Sequence, residues 1–428
     1  MHDAQANSEM TTRRRTQRLK EAVLAAFSSG RSGISASLGE FSARDWQKTL
    51  FWLDASGLAL YFVDRLASLD LLHSLPEVIL ARLQQNLRDN RERTDVLIEE
   101  SIAVGTALQQ QGISFALLKG VTLAPDSVPD TALRCQLDLD FLVAEGDARA
   151  AKNILLRLGY RLHAVCGDTL EFKAGMSTTP DLKMLYQSRP QRSLELHLLP
   201  AAANGTHSAQ LDRLARAQLR SFQGKLLPAL SPADLFLQQA LHLFKHVCGE
   251  HTRASWVLEF WRHIQARRGD VTFWDEVESL AEAEGQANIA VGAVTLLATR
   301  TFGEIAPPQL SRWTTVPLPP AVRLWIETYG SRALLTDFPG TKLYLLLRGH
   351  LRPHDVGRRA SLRSLVPPLR LPPRITHREA AESLPARLRR FLIEARFVLF
   401  RLRFHLVEGL RYAVESSRWQ RRLTGITH

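Results

Sequence analysis

Arg134-Cys135-Gln136-Leu137-Asp138-Leu139-Asp140-Phe141-Leu142-Val143 is the run on which the fold of this chain turns. From Leu137 it alternates with period two, and successive side chains of a strand point to opposite faces. Asp138 and Asp140 therefore share one face while Leu137, Leu139 and Phe141 share the other. Two carboxylates on one face repel each other, and a hard cation with oxygen ligands, such as Mg²⁺, is the natural neutraliser. Taken alone, the pattern fits a solvated sheet face equally well.

Further along, Leu194-Glu195-Leu196-His197-Leu198 repeats the alternation, with leucines on one face and Glu195 and His197 on the other. Asp138, Asp140 and Glu195 from two strands suit a site for two divalent ions, Mg²⁺ or Mn²⁺. Upstream, Leu117-Leu118-Lys119-Gly120 ends a strand in a lysine and a glycine, which lets backbone N–H groups and an ammonium approach phosphate. Arg134 offers a forked donor to the same phosphates. His242 and His246 stand one helical turn apart on one face, and Leu243 replaces the glutamate that a metalloprotease H-E-x-x-H would need. They either line an interdomain face or touch nucleotide phosphates or acceptor, with His251 and Arg253 extending the same lining.

Short apolar runs at 113–118, 137–143, 160–165, 170–173, 182–186 and 194–199 predict strands, and the period at 145–158 predicts a helix ended by Gly159. The core is thus mixed α and β. Helical periodicity dominates before it and returns after 201, most clearly at Ser231-Pro232-Ala233-Asp234, where serine caps and proline takes the first helical position. These patterns divide the chain into an N-terminal helical region (1–112), the core (113–200), a helical domain (201–338) and a basic tail (339–428). Trp256, Phe260 and Trp261 are expected to be core residues.

With 45% hydrophobic and 23% charged residues, the 428-residue chain is composed to fold rather than to stay disordered. Cys135, Cys166 and Cys248 form no CxxC pair and are expected to be buried thiols. No stretch has the length and apolarity of a membrane span, and no apolar segment follows the basic Arg13-Arg14-Arg15, so a cytoplasmic location is expected. The charge is uneven. Residues 339–428 hold 19 Lys and Arg against 6 Asp and Glu, enough to account for the whole net charge of +12. Within this tail, 366–373 has four prolines and predicts an extended linker, while 385–412 predicts a long helix. That helix would dock on the body of the protein or on a protein partner, or lie peripherally on an anionic membrane. RNA is the weaker partner, since no RNA-recognition motif accompanies the charge.

The ordered set of motifs at 117–120, 134–143, 158–160 and 195–197 resembles an uncharacterised nucleotidyltransferase-like family of the polymerase-β-type superfamily. Its members read approximately LLKG, R-x-x-x-D-x-D, LGY and [ED]-L-H. The resemblance spans about residues 115–268. It implies an α+β fold: a polymerase-β-like nucleotidyltransferase core with a mixed sheet, flanked by N-terminal and C-terminal helical regions. It further implies Asp138, Asp140 and Glu195 as catalytic metal ligands, beside which Lys119, Gly120, Arg134, His242 and His246 are the expected nucleotide-binding set; Glu259, where the family tends to carry aspartate, is expected to orient a basic partner. The implied reaction moves a nucleotidyl group from a nucleoside triphosphate to an unidentified acceptor. The glycine-serine pair usual in the superfamily is replaced by Lys119-Gly120. The alternative is a catalytically degenerate nucleotide-binding or scaffolding protein that uses its basic tail for interaction.

Overall fold

A computed structural model of the protein describes residues 2–175, 184–188, 191–200, 213–285, 287–303, 306–351 and 384–425. The N-terminal helices are α1 (His2–Ala25), α2 (Arg31–Leu38), α3 (Ala43–Ala55), α4 (Ala59–Ser68) and the long α5 (Glu77–Gln110). Helix α3 starts at a reciprocal capping box: the Ser42 hydroxyl accepts from Asp45 N–H and the Asp45 carboxylate accepts from Ser42 N–H. Trp46, Trp52 and Leu53 then point inward with Tyr61 and Phe62 of α4, all essentially without solvent contact.

The core follows as β1 (Phe115–Leu117), β2 (Leu139–Ala144), α6 (Ala148–Arg157), β3 (Arg161–Cys166), β4 (Thr169–Ala174), β5 (Arg192–Leu199), β6 (Gln218–Phe222) and β7 (Lys225–Ala229). They form one seven-stranded sheet in the order β3-β4-β5-β2-β1-β7-β6. Strands β2 and β5 are parallel, as are β1 and β7, and the other neighbours are antiparallel, so the sheet is mixed and the fold α+β. The apolar face predicted from the alternation is covered: Leu139, Phe141, Leu194 and Leu196 pack with Ile98, Val104 and Leu108 of α5 and Ile154 and Leu155 of α6. On its opposite face Ala116, Leu142 and Leu199 pack into the larger helical core, and the polar side chains of Asp140, Glu195 and His197 stand beside them.

The sheet runs beyond residue 200, where the sequence pattern closes the core. Strands β6 and β7 join through Gln223 and Gly224, both at positive φ (46° and 79°), as a type I′ hairpin turn requires. Gln-Gly is not a usual spelling of that turn, and Pro228 inside β7 argues locally against a strand, so the hairpin escapes a periodicity search. The strand expected at 182–186 falls partly outside the described residues, and 184–188 is not strand. The linker expected at 366–373 lies outside the described residues altogether.

Helix α7 (Pro232–Val247) begins as its sequence predicts, with Ser231 accepting from Asp234 N–H and Pro232 in the first turn. It packs with α8 (Ala254–Ala266), α9 (Val271–Glu282) and α10 (Ala287–Phe302) around Phe236, whose ring lies 5.0 Å from Phe260 and 5.2 Å from Trp274. Shorter helices α11 (Pro308–Trp313), α12 (Pro320–Trp325), α13 (Ser331–Leu335) and α14 (Tyr344–Leu351) complete this layer. The last helix, α15 (Leu384–Thr424), is longer than its apolar period suggested. One face docks on the body: Thr341 Oγ1 donates to Glu408 at 2.7 Å, Tyr329 OH donates to Glu415 at 2.9 Å, and Trp419 is buried. The expectation of three buried thiols is corrected, since none of the three is fully buried. Cys166 is exposed because it ends the outermost strand of the sheet, whereas Cys135 and Cys248 are half-buried.

Candidate functional site

Parallel pairing of β2 with β5 sets Asp140 opposite Glu195 and Leu142 opposite His197. The polar face of the sheet thereby gathers two carboxylates and an imidazole. Asp140 is almost completely buried; its Oδ1 lies 2.7 Å from Lys119 Nζ and 3.0 Å from His197 Nε2. Nε2 of the same imidazole is 3.3 Å from Glu195 Oε2, and its Nδ1 is 3.2 Å from Thr169 Oγ1. Burial opposes ionisation of Asp140, but the hydrogen bond to His197 and the charge of Lys119 outweigh it and hold the carboxyl well below the usual range. Asp138, two residues earlier, goes the other way. Burial and then the neighbouring Asp140 charge push it up to about 6.

Lys119 reaches Asp140 because the end of β1 is tied to β2: Leu118 N–H donates to Asp140 O at 3.2 Å. The next residue, Gly120, adopts φ +71°, and a Cβ placed there would lie 2.2 Å from the Gln136 amide. The missing side chain leaves room for Gln136 to donate through Nε2 to Asp138 O at 2.6 Å, which ties the segment entering β2. Gly120 thus acts in this site through the neighbour it admits.

Arg134 is held from behind. Its Nε is 3.2 Å from Glu259 Oε2, and Tyr61 OH donates to Glu259 Oε1 at 2.8 Å. Glu259 orients a basic partner, as its sequence position suggested. Across the cleft, α7 presents His242 and His246, their rings 4.7 Å apart, with Trp256 of α8 at 4.3 Å from His246 and Arg253 5.3 Å over the Trp256 ring. Burial, then Lys119, lowers His242 to about 3; burial, then Lys245 and Arg253, lowers His246 to about 4. Both imidazoles are therefore neutral at pH 7.

Expectations for the aromatic residues divide. Phe260 is core, and Trp256 and Trp261 are both partly buried and pack against it; Trp256, in the first turn of α8, also lines the cleft. His251 turns away to pack on Phe338 at 5.6 Å, whereas Arg253 lines the cleft.

The cleft between the polar sheet face and α7 has a volume of about 620 Å³, within the range of small-molecule sites. Asp138, Asp140 and Glu195 line it together with Lys119, Arg134, His242 and His246. Opposite charges thus face one space, an arrangement able to hold a polyanion together with a cation. The ligand atoms of Asp140, Glu195 and His197 lie within 4.8 Å of one another, so these three could hold a metal ion. Asp138 lines the same cleft outside that group of three. His197 is the member that the motif reading left without a role, although its place two residues after Glu195 on one strand face announces it.

A family model described as "Uncharacterised nucleotidyltransferase" matches residues 42–303, extending well before and somewhat beyond the segment that carries the motifs. No curated protein matches the chain. Among solved structures, it is similar to an antigenic nucleotidyltransferase-like protein from Paracoccidioides brasiliensis, at 11% identity and a TM-score of 0.30 over 50% of this chain and 94% of that one.

Proposed function

The chain belongs to the uncharacterised nucleotidyltransferase family, and from that premise we propose that the cleft binds a nucleoside triphosphate and transfers its nucleotidyl group to an acceptor. The observation that carries the proposal is the β2–β5 register, which sets the carboxylates of Asp140 and Glu195 side by side in a cleft of nucleotide size. In the reaction, an acceptor oxygen attacks the α-phosphorus, the bond to the bridging oxygen breaks, and pyrophosphate leaves. The acceptor proton passes to a carboxylate of the cluster.

Lys119 and Arg134 supply ammonium and guanidinium to the phosphates, with Glu259 keeping the Arg134 side chain in place. Asp140 and Glu195, with His197 beside them and Asp138 on the cleft wall, are the residues that would hold Mg²⁺ or Mn²⁺. Their donor set fits, because two carboxylates converge with an imidazole and oxygen-rich sites suit these ions. Such an ion would supply neutralisation of charge on the triphosphate. His242, His246 and Trp256 offer a neutral, flat-sided wall for the rest of the nucleotide or for the acceptor.

A second reading keeps nucleotide binding without turnover. It is favoured by the 2.7 Å ion pair that occupies Asp140 with Lys119, at the place where the superfamily carries a glycine-serine pair. Titration calorimetry of ATP, GTP, CTP and UTP, with and without Mg²⁺, separates these readings from having no nucleotide site at all. Metal-dependent binding lost in Asp140→Asn supports the site, and pyrophosphate release on adding candidate acceptors supports transfer. Absence of binding for all four nucleotides in the native protein overturns both.

A further inference from the structure

The face of α15 turned away from the body carries a continuous apolar stripe. Leu388, Leu392, Leu399, Leu402, Leu406 and Leu410 follow one another at three-, four- and seven-residue intervals, and each is between 41% and 72% exposed. Arg389, Arg396 and Arg403, spaced by seven residues and all exposed, run along one edge of this stripe. The acidic side chains of the helix point elsewhere. Glu408 and Glu415 are buried against the body, where Thr341 and Tyr329 donate to them, and Glu394 lies on the far side by helical periodicity. The exposed face is thus apolar and cationic, with no carboxylate beside it among the described residues of the helix.

We propose that α15 docks the protein on an anionic lipid surface, the leucine stripe entering the acyl boundary and the arginine row meeting the headgroups. Charge complementarity selects this occupant. Two copies joined along the stripe would run arginine rows beside a seam to which the described residues of the helix bring no acidic side chain. The inner face fits the role, because Phe404, Glu408, Glu415 and Trp419 anchor the helix to the body and so present the outer face on a firm support. No described helix is long and apolar enough to cross a membrane, so this helix lies along the surface.

Flotation of the full-length protein with vesicles tests the proposal. The protein is expected to float with vesicles of phosphatidylcholine and phosphatidylglycerol and not with phosphatidylcholine alone. Leu399→Glu/Leu406→Glu, which keeps good helix formers at exposed positions, is expected to abolish flotation with the circular dichroism unchanged. Arg396→Glu and Arg403→Glu should each weaken binding about fivefold or more, the worth of one basic residue near anionic headgroups. Failure of the native protein to float, or equal flotation of all variants, overturns the proposal. A concentration-dependent dimer that Leu399→Glu/Leu406→Glu dissolves, seen without flotation, would assign the stripe to a second copy instead.

Discussion

Lys119 Nζ lies 2.7 Å from Asp140 Oδ1, so a half-buried lysine and a buried carboxylate of the candidate metal cluster form one ion pair. Triphosphate and cation entering together would have to divide this pair, the lysine turning to phosphate and the carboxylate to the ion. Lys119→Met should therefore weaken nucleotide binding about tenfold to a hundredfold, the worth of a hydrogen bond to a charged group, while Lys119→Arg retains part of it. Calorimetry reads both values. Equal affinity of Lys119→Met and the native protein would remove Lys119 from the site.

Gly120→Ala places a Cβ 2.2 Å from the Gln136 amide at a backbone φ of +71°. The amide is the flexible end of a side chain and can move, but moving it breaks its 2.6 Å bond to Asp138 O. The backbone conformation alone costs about 1–2 kcal/mol in a non-glycine residue. Nucleotide affinity is expected to fall along with stability. Adding Gln136→Ala relieves the clash yet leaves affinity low, because the tie to Asp138 stays missing. Recovery of native affinity in the double variant would count against a role for that tie.

Glu259→Ala strips Arg134 and Tyr61 of their shared partner, of which the Glu259 side chain is only 2% exposed. Breaking a buried pair by removing one partner typically costs about 3–5 kcal/mol. An unfolding free energy lower by that amount in urea titrations is expected, together with weaker triphosphate binding as Arg134 loses its orientation. Glu259→Gln, which can still accept from Tyr61, should be milder in both measurements.

Stability should fall on acidification partly through His263. Burial is the main cause that pushes this imidazole down to about 4 from its ordinary 6.5, in a site where its Nδ1 is 3.0 Å from Gln239 Oε1. Between those values the unfolded chain takes up a proton that the native state does not, so stability rises with pH across the window and is lost as pH falls from 6.5 toward 4. The contribution approaches about 1.4 kcal/mol per pH unit for one such group. His263→Gln should flatten the slope in urea titrations between pH 4 and 6.5. An unchanged slope would show that other groups carry it.

Some elements are legible residue by residue. Alternation at 139–143 and 194–198 tells which side chains share a face, because that depends only on the two-residue period of a strand, whereas Leu137 and Asp138 precede β2 and Leu137 lines the cleft instead of joining Leu139 and Phe141 in the core. Ser231-Pro232-Ala233-Asp234 starts α7 by local hydrogen bonding. The same locality hides the β6–β7 hairpin, whose turn is an uncommon Gln-Gly and whose second strand contains a proline.

By itself, then, the sequence determined the strand faces, the helix starts, the concentration of charge in the tail, and the set of carboxylates, lysine, arginine and histidines from which a site is made. Tertiary structure alone decided which of them meet. The parallel register brings Asp140 to Glu195 and leaves Asp138 outside the tightest group. The approach of α8 puts Trp256 on the cleft wall as well as against the core, and Glu259 behind Arg134. The docking of α15 chooses which side of an apolar helix stays uncovered. These contacts join residues tens to hundreds of positions apart, and no local period carries information about a partner that distant.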